Sequence, residues 1–311
     1  MTPTLPLVSL IIMTHNHEKC IDTAIQCALA QDYTNTEIII SDDASTDRTV
    51  EIIQKYLNQY PHKIKLLTAT QNRGVTENWF KAVAHCNGKY ITTVSGDDSI
   101  PSQKISKQIT LMESDPDIAI CYTDASVFDV AAQKERYRLS DKAPTKSGSI
   151  KTALADSLYY SPTLMFQKKF APKINLFSDV KHASDLAYYK EVMILSAPKG
   201  KIAYLPEVLY IYNKHAANLT VVRNNANYQE HIKAIKILQE KYPEYRSDLN
   251  PAIYDFSCVG FFKNMAHCQF KEANYFLQEG LKASHYNPFK FLRALWWAVK
   301  FLYQKQRKTK P

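Results

Sequence analysis

The first 123 residues alternate short apolar runs with segments of helical periodicity, and this alternation restricts the fold more than any other feature of the chain. Residues 8–14 (VSLIIMT) form a continuous run rich in β-branched side chains, which is typical of a strand buried on both faces. Residues 18–31 follow with apolar side chains on one helical face. We therefore predict an α/β fold with a mostly parallel central sheet and helices on both faces. The pattern predicts further strands, with helices between them, at 37–41, 64–70, 89–94 and 118–123.

The alternation weakens in the second half of the chain. Residues 131–149 are polar and predict a mobile surface loop, and residues 201–212 predict a pair of short strands around Pro206. Later residues have a helical pattern. These changes predict two parts, a domain over 1–220 that contains the sheet and a helical C-terminal region over 221–311.

Composition and charge exclude several kinds of site. The chain has 311 residues but only seven glycines, and neither G-x-G-x-x-G nor G-x-x-x-x-G-K-[ST] occurs, so a glycine-cradled dinucleotide or P-loop site is not expected. The net charge of +9 is concentrated in residues 280–311, which contain eight Lys or Arg and no acidic residue. Because the basic residues form a tail, we expect no nucleic-acid partner. The six scattered cysteines predict free thiols in a reducing compartment.

Polar side chains follow three of the predicted strands directly. In open α/β sheets, ligands bind at the carboxyl ends of the strands. Adjacent carboxylates at the end of a buried strand repel each other unless something compensates their charge. Two interpretations stay open, since the aspartates either cap the following helices or hold Mg²⁺ or Mn²⁺ through phosphates. The residues concerned are Thr14, His15 and Asn16, then Asp42 and Asp43, then Asp97 and Asp98.

These motifs, in this order, resemble the inverting glycosyltransferases of family 2, whose nucleotide-sugar domain has the Rossmann-like GT-A fold. The resemblance is strong over about residues 7–115 and loose over 155–220. It rests on VSLIIMTHNHEKCIDTAIQCALAQDYTNTEIIISDDASTDRTVEII, on Asn72-Arg73-Gly74 and Asn78, and on GKYITTVSGDDSIPSQKISKQ.

The resemblance implies roles for individual residues at the donor site. Thr14, Asn16 and Asn72 would line the nucleotide pocket together with His15, which stands where many relatives have Tyr and would stack on the base. Asp43 would meet the uracil ring. Asp97 would contact the ribose or the metal, and Asp98 is the stronger candidate for the divalent ion that bridges the diphosphate. Ser95 departs from the D-x-D-D pattern that is common in the family.

The resemblance also implies a catalytic base. An inverting transfer needs a carboxylate that takes the proton of the acceptor hydroxyl, and Asp185 in KHASDLAYY occupies the family's position for it. Ser184 replaces the usual Glu. Alternatively, Asp185 is only an acidic first-turn residue that the helix dipole favours. In the later segment YIYNKH, His215 would reach the diphosphate or its metal, and Asn213 stands where Arg is more common.

The segment 289–303 (FKFLRALWWAVKFLY) predicts an amphipathic C-terminal helix. Its length of roughly 22 Å is too short for a bilayer core of roughly 30 Å. Two adjacent Trp and the basic residues that follow favour an interfacial helix on an anionic membrane surface. Alternatively, the helix packs on the domain and only its basic end is solvated.

Together, the motifs predict a metal-dependent glycosyltransferase that uses Mg²⁺ or Mn²⁺ and a nucleotide-sugar donor, with a UDP-sugar as the first choice. The expected acceptor is a hydroxyl of a cell-envelope saccharide or lipid-linked glycan, and the expected location is cytoplasmic, on the inner face of the membrane. A non-catalytic sugar-nucleotide-binding or scaffolding subunit remains the alternative, because Ser95, Ser184 and Asn213 depart from the family pattern. A nucleotidyltransferase would need a Gly-rich phosphate loop, which THNHEKC does not provide.

Overall fold

The computed structural model describes residues 5–141, 146–156, 161–180, 185–215, 218 and 226–284. The chain divides into two compact units. The first comprises residues 1–153 and 158–218, and the second comprises 154–157 and 219–311. The predicted helix at 289–303 lies outside the described residues.

A mixed β-sheet forms the centre of the first unit. The described strands lie in the order β3-β2-β1-β4-β8-β5-β9-β7, and β6 pairs with β5. Strands β1 to β4 are mutually parallel, β8 runs antiparallel between β4 and β5, and β9 is parallel to β5. The strands are β1 (Val8–Thr14), β2 (Thr36–Asp42), β3 (Ile64–Thr68), β4 (Tyr90–Ser95), β5 (Ile118–Asp129), β6 (Lys134–Arg138), β7 (Gly148–Ser149), β8 (Met165–Gln167) and β9 (Lys201–Lys214).

Helices cover the sheet and bury the residues that the periodicity indicated. The first helix buries Ile21, Ala24, Ile25 and Ala28 against the apolar residues of β1. β1 itself is almost entirely buried, as expected for a strand covered on both faces. The described helices that lie wholly or mostly in this unit are α1 (Ile21–Leu29), α2 (Thr49–Gln59), α3 (Val75–Ala84), α4 (Lys104–Ser114), α5 (Ile150–Ala155) and α6 (Asp185–Leu195).

Two predictions about the second half of the sheet were wrong. Part of the predicted loop at 131–149 is ordered as β6 and β7, which lack an apolar pattern because they lie at exposed edges. The predicted strand pair at 201–212 is the single strand β9. Pro206 fits within it because the pairing with β5 shifts register there, and a bulge does not require the N–H that proline lacks.

The second unit is helical in its described part. It contains α7 (Ala226–Lys241), α8 (Arg246–Ala266) and α9 (Phe270–Ala283). Its core includes Ile235, Leu249 and Phe276. Gly260 permits close packing of α8 on α9, because a Cβ there would lie 2.4 Å from the Phe276 ring. Among the described residues, no helix combines the length and apolar character that crossing a membrane requires.

Candidate functional site

Three strand ends meet at one edge of the sheet. In the register of the parallel strands, Thr14 lies beside Asp42, and Met13 lies beside Ser95. Backbone hydrogen bonds continue the alignment, since Asp43 N–H donates to the Thr14 carbonyl (3.0 Å) and Gly96 N–H donates to the Met13 carbonyl (2.8 Å). The chain thus places the polar ends of β1, β2 and β4 side by side, as parallel pairing requires.

Asp43 organises one side of this edge. It is 5% exposed, and its two carboxylate oxygens accept the N–H groups of Arg73 (2.9 Å) and Gly74 (2.8 Å). Gly74 has φ 90°, a conformation that favours glycine. The carboxylate therefore holds the turn that carries Asn72, 29 residues further along the chain.

His15 and Asn72 lie together at this turn. The Asn72 Nδ2 atom is 3.0 Å from His15 Nε2, and the Asn16 Nδ2 atom is 3.3 Å from the same nitrogen. Asn16, at φ 55°, accepts the Thr46 N–H (2.8 Å) and donates its own N–H to Ser45 Oγ (2.8 Å). The structure therefore brings Asn16, His15, Asn72 and Asp43 into one cluster beside Thr14.

Asp42 has a different environment. It is 1% exposed, and it accepts the N–H and the hydroxyl of Ser45. This contact stabilises the loop after β2 but does not cap a helix, because α2 begins only at Thr49; the capping interpretation is therefore wrong for Asp42.

Asp97 lies on the other side of Thr14, between two histidines. Its Oδ2 atom is 3.1 Å from His215 Nε2, 3.1 Å from Asn218 Nδ2 and 4.0 Å from His17 Nε2. Its Oδ1 atom accepts the Ser95 hydroxyl. The His17 ring also contacts Thr14, whose Oγ1 is 3.2 Å from Nδ1. Burial lowers the pKa of His17, and the nearby Asp97 carboxylate opposes that shift.

Asp98 faces the protein interior. It is 3% exposed, and its oxygens accept the Tyr210 hydroxyl (2.7 Å) and the Asn213 N–H (2.8 Å). Burial raises the pKa of Asp98 well above its ordinary value, and the adjacent Asp97 charge adds to this effect. The two adjacent aspartates thus have opposite surroundings, one beside the histidines and one in the core.

Asp185 is exposed and is the first residue of α6. Residues 181–184 are outside the described part, and the preceding Val180 carbonyl accepts the Thr76 hydroxyl at 2.5 Å. Thr76 lies in the first turn of α3, two residues after Gly74. The hydrogen bond to Val180, five residues before Asp185, therefore fixes this part of the chain close to the 72–74 turn that Asp43 holds.

Sequence reasoning missed three contributors to this site: His17, Tyr210 and Asn218. The alternation of His15 and His17 after a buried strand is a signal that could have found His17, because alternating side chains can flank one strand end. Tyr210 and Asn218 carry no comparable signal. Their contacts with the 95–98 turn join residues more than 100 positions apart.

The donor set of the 95–98 turn fits a metal ion that is shared with a ligand. Among the described residues, no group of three or more His, Cys, Asp or Glu side chains is arranged to hold a metal. Asp97 and His215 offer one carboxylate and one imidazole. Mg²⁺ is usually held by one or two carboxylates together with substrate phosphates and water, so the Asp97 carboxylate is the donor in this pair that fits a shared ion.

Comparisons with known proteins agree on one family. The family model described as glycosyl transferase family 2 matches residues 9–177. EpsE of Bacillus subtilis (strain 168), named as a glycosyltransferase, is 33% identical over 124 residues, which cover 40% of this chain and 45% of EpsE. An uncharacterized glycosyltransferase of Haemophilus influenzae (strain ATCC 51907 / DSM 11121 / KW20 / Rd) is 27% identical over 254 residues, covering 77% of this chain and 74% of that protein. This chain thus spans less than half the length of EpsE.

Two solved structures share the fold. Staphylococcus aureus TarS 1–349 in complex with UDP-GlcNAc has a TM-score of 0.55 and 15% identity, over 89% of this chain and 92% of that chain. The mannosyltransferase PcManGT from Pyrobaculum calidifontis, in complex with GDP-Man and Mn²⁺, has a TM-score of 0.57 and 18% identity, over 97% and 89%. The predicted α/β architecture is confirmed.

Proposed function

We propose a donor and a reaction course for this chain, which belongs to glycosyltransferase family 2 and is a glycosyltransferase. Its donor is a UDP-sugar, and the sugar is transferred with inversion at the anomeric carbon. Family membership confirms the resemblance in the sequence. One observation carries the proposal: two groups of residues lie on either side of the end of β1. The first is the cluster of His15, Asn72 and Asp43, and the second is the pair Asp97 and His215. A nucleotide needs the first kind of site for its base and the second for its diphosphate.

The first cluster supplies the base site. Each Asp43 oxygen accepts one backbone N–H and retains a further acceptor position, so the carboxylate can also accept the imide N–H of uracil. The amide groups of Asn16 and Asn72 fix the orientation of the His15 ring, which offers an aromatic surface to the base. The TarS structure with UDP-GlcNAc is a fold neighbour that binds this class of donor.

The second cluster supplies the diphosphate site. We assign Asp97 and His215 as the residues that would hold Mg²⁺ or Mn²⁺, and Asp98 as their buried support. The sequence motif favoured Asp98 as the metal ligand. We propose Asp97 instead, because both Asp98 oxygens already accept hydrogen bonds in the interior. A divalent ion at this position supplies charge neutralisation to the leaving diphosphate. The mannosyltransferase with GDP-Man and Mn²⁺ is a neighbour with such an ion.

Asp185 would act as the general base. Its side chain is exposed at the start of α6, and it can accept a proton from an acceptor hydroxyl as that oxygen attacks the anomeric carbon. The bond to the nucleotide oxygen breaks on the opposite face, which inverts the configuration. The acceptor we propose is a cell-envelope saccharide or lipid-linked glycan, reached at the inner membrane surface through the basic C-terminal segment.

A panel of UDP-, GDP- and dTDP-sugars tests the donor class. Purified protein is incubated with each donor in Mn²⁺ or in EDTA, and the release of nucleoside diphosphate is measured. We expect slow hydrolysis of a UDP-sugar that requires the metal. Hydrolysis of a GDP- or dTDP-sugar instead would contradict the UDP assignment, and binding of none of these nucleotides would contradict the proposed donor site.

Replacing Asp185 tests the proposed base. We expect Asp185→Asn to lower kcat by about 10²–10⁴-fold and to leave UDP affinity within about twofold, because only proton transfer is lost. Asp248→Asn is the matched control, since Asp248 also lies in the first turn of a helix, in the other unit. Retention of normal turnover by Asp185→Asn would contradict the assignment.

A further inference from the structure

We infer that Tyr210 and Asn213, at the end of β9, are positioning residues that set the orientation of Asp97 for a divalent ion and the donor diphosphate. This inference rests on the proposed function. It assigns to β9 a role in metal binding that the Asp97-Asp98 motif alone does not indicate.

The Tyr210 side chain joins the two ends of the turn that carries Asp97. It is completely buried. Its hydroxyl donates to Asp98 Oδ2 at 2.7 Å and accepts the Ser95 N–H at 3.1 Å. One hydroxyl therefore spans residues 95–98 and restrains the backbone on both sides of Gly96 and Asp97.

Asn213 restrains the same turn from a second point. Its backbone N–H donates to Asp98 Oδ1 at 2.8 Å, and its Nδ2 donates to the Asp97 carbonyl at 3.0 Å. Between these two residues, Ile211 and Ser99 exchange backbone hydrogen bonds of 2.9 and 3.2 Å. The end of β9 thus contacts the 95–99 segment through Tyr210, Ile211 and Asn213.

The shape of β9 makes this contact possible. Its register with β5 shifts between Thr123 and Asp124 and again before Ser126, so that Ile211 pairs with Ser126 on one side and with Ser99 on the other. Such irregularities redirect a strand and are frequent beside active sites. His215 follows directly on the same chain segment and lies against Asp97. One strand end therefore both anchors the turn and supplies the histidine.

These contacts explain why Asp98 is a carboxylate although it faces the interior. Its two oxygens receive the two donors of β9, which fixes the neighbouring residue in place. Outer-shell partners of this kind typically change metal affinity by about 10–100-fold when they are removed. Loss of the Tyr210 hydroxyl would leave the Ser95 N–H and an Asp98 oxygen without that partner.

The test compares two tyrosine variants of the full chain. Mn²⁺ is titrated in the presence of UDP, and free Mn²⁺ is measured by electron paramagnetic resonance. We expect Tyr210→Phe to weaken Mn²⁺ binding by about 10–100-fold. We expect Tyr33→Phe to leave it within about twofold, although Tyr33 is also buried and donates to the Pro6 carbonyl at 2.7 Å. UDP affinity in EDTA should be equal in the wild type and both variants.

Asn213→Ala is the second variant, because it keeps the backbone N–H and removes only the amide on the Asp97 carbonyl. It should weaken Mn²⁺ binding in the same direction as Tyr210→Phe. Wild-type Mn²⁺ affinity in either Tyr210→Phe or Asn213→Ala would overturn the inference alone. A wild-type protein that binds no Mn²⁺ with UDP would contradict the proposed function, and this inference with it.

Discussion

Asp97 and Asp98 are adjacent residues of the same type, and their surroundings separate their roles. The Asp97 side chain is 12% exposed and lies against His215 and His17, whereas Asp98 is 3% exposed and bonded to Tyr210 and Asn213. Desolvation disfavours a second free charge at Asp98. This difference is the reason why we propose Asp97, and not Asp98, as the carboxylate that would exchange a protein contact for a cation.

Gly96 is the residue that lets Asp97 approach the histidines. A Cβ at this position would lie 2.6 Å from His17 Nδ1 and 2.9 Å from Thr14 Oγ1. We expect Gly96→Ala to displace the turn, to weaken Mn²⁺–UDP binding at least tenfold and to cost about 1–3 kcal/mol of stability. Calorimetric titration and urea unfolding measure the two effects.

Gly88→Ala is the control for that substitution. Gly88 precedes the opposite end of β4, and a Cβ there would lie 2.5 Å from the Ser9 backbone nitrogen. It should lower stability without changing Mn²⁺–UDP affinity. Equal loss of affinity in both variants would show that Gly96 has no specific relation to the site.

The candidate residues could be predicted from the sequence, but their arrangement could not. Thr14 is the last residue of β1, and Asp43 and Asp97 lie within two residues of the ends of β2 and β4, so chain order already indicated a shared edge. The preference for Asp97 over Asp98 depends on Tyr210, which is 112 residues from Asp98 along the chain. No local pattern contains a contact of that range.

At the scale of elements, prediction succeeded where burial leaves a pattern. Strands β1, β2 and β4 are apolar runs because helices or neighbouring strands cover them, and their positions follow from the sequence. Strand β6 (KERYR) is mostly exposed and has no such pattern. Its pairing with β5 depends on the hairpin between them, which hydrophobic periodicity does not report.

Helix α4 contains a charged residue that the pattern of its buried face would not predict. Lys104 is completely buried, and its Nζ donates to Gln108 Oε1 and, at 3.1 Å, to the Thr163 carbonyl. Burial lowers the pKa of Lys104 to about 7. The folded chain therefore favours the neutral amine, whereas the unfolded chain keeps an ordinary lysine.

Lys104→Met tests this interpretation through the pH dependence of stability. Between about pH 7 and pH 10 the unfolded lysine binds a proton that the folded one does not, so raising the pH stabilises the wild type. We expect the free energy of unfolding of the wild type to rise relative to Lys104→Met by about 2 kcal/mol between pH 7 and pH 9. Urea unfolding at several pH values measures it, and parallel curves would refute the assigned burial.

At the scale of the whole molecule, the sequence indicated where sheet and helical regions lie, and the structure divides the chain into two units.

The six cysteines are distributed over both units and are all free thiols. Cys86, Cys121 and Cys258 are buried, and burial raises the pKa of each to about 12. Cys268 is exposed.

Thiol labelling tests this distribution. We expect the fastest reaction with a thiol reagent in the native protein at the exposed Cys268, slower reaction at the half-buried Cys20 and Cys27, and reaction of the three buried thiols only after unfolding. Cys268→Ser should remove the fast phase. Fast labelling of Cys86, Cys121 or Cys258 in the native protein would contradict the packing of the unit that contains the labelled residue.

In the proposed donor site, Asp97 would hold the ion that binds the donor diphosphate. Calorimetric titration of UDP into wild type, Asp97→Asn and Asp98→Asn, each with Mn²⁺ and with EDTA, tests it most directly. We expect Mn²⁺ to raise UDP affinity in the wild type, to have no effect in Asp97→Asn, and to retain a weakened effect in Asp98→Asn. A full Mn²⁺ effect in Asp97→Asn, with its loss in Asp98→Asn, would contradict this assignment and make Asp98 the metal ligand.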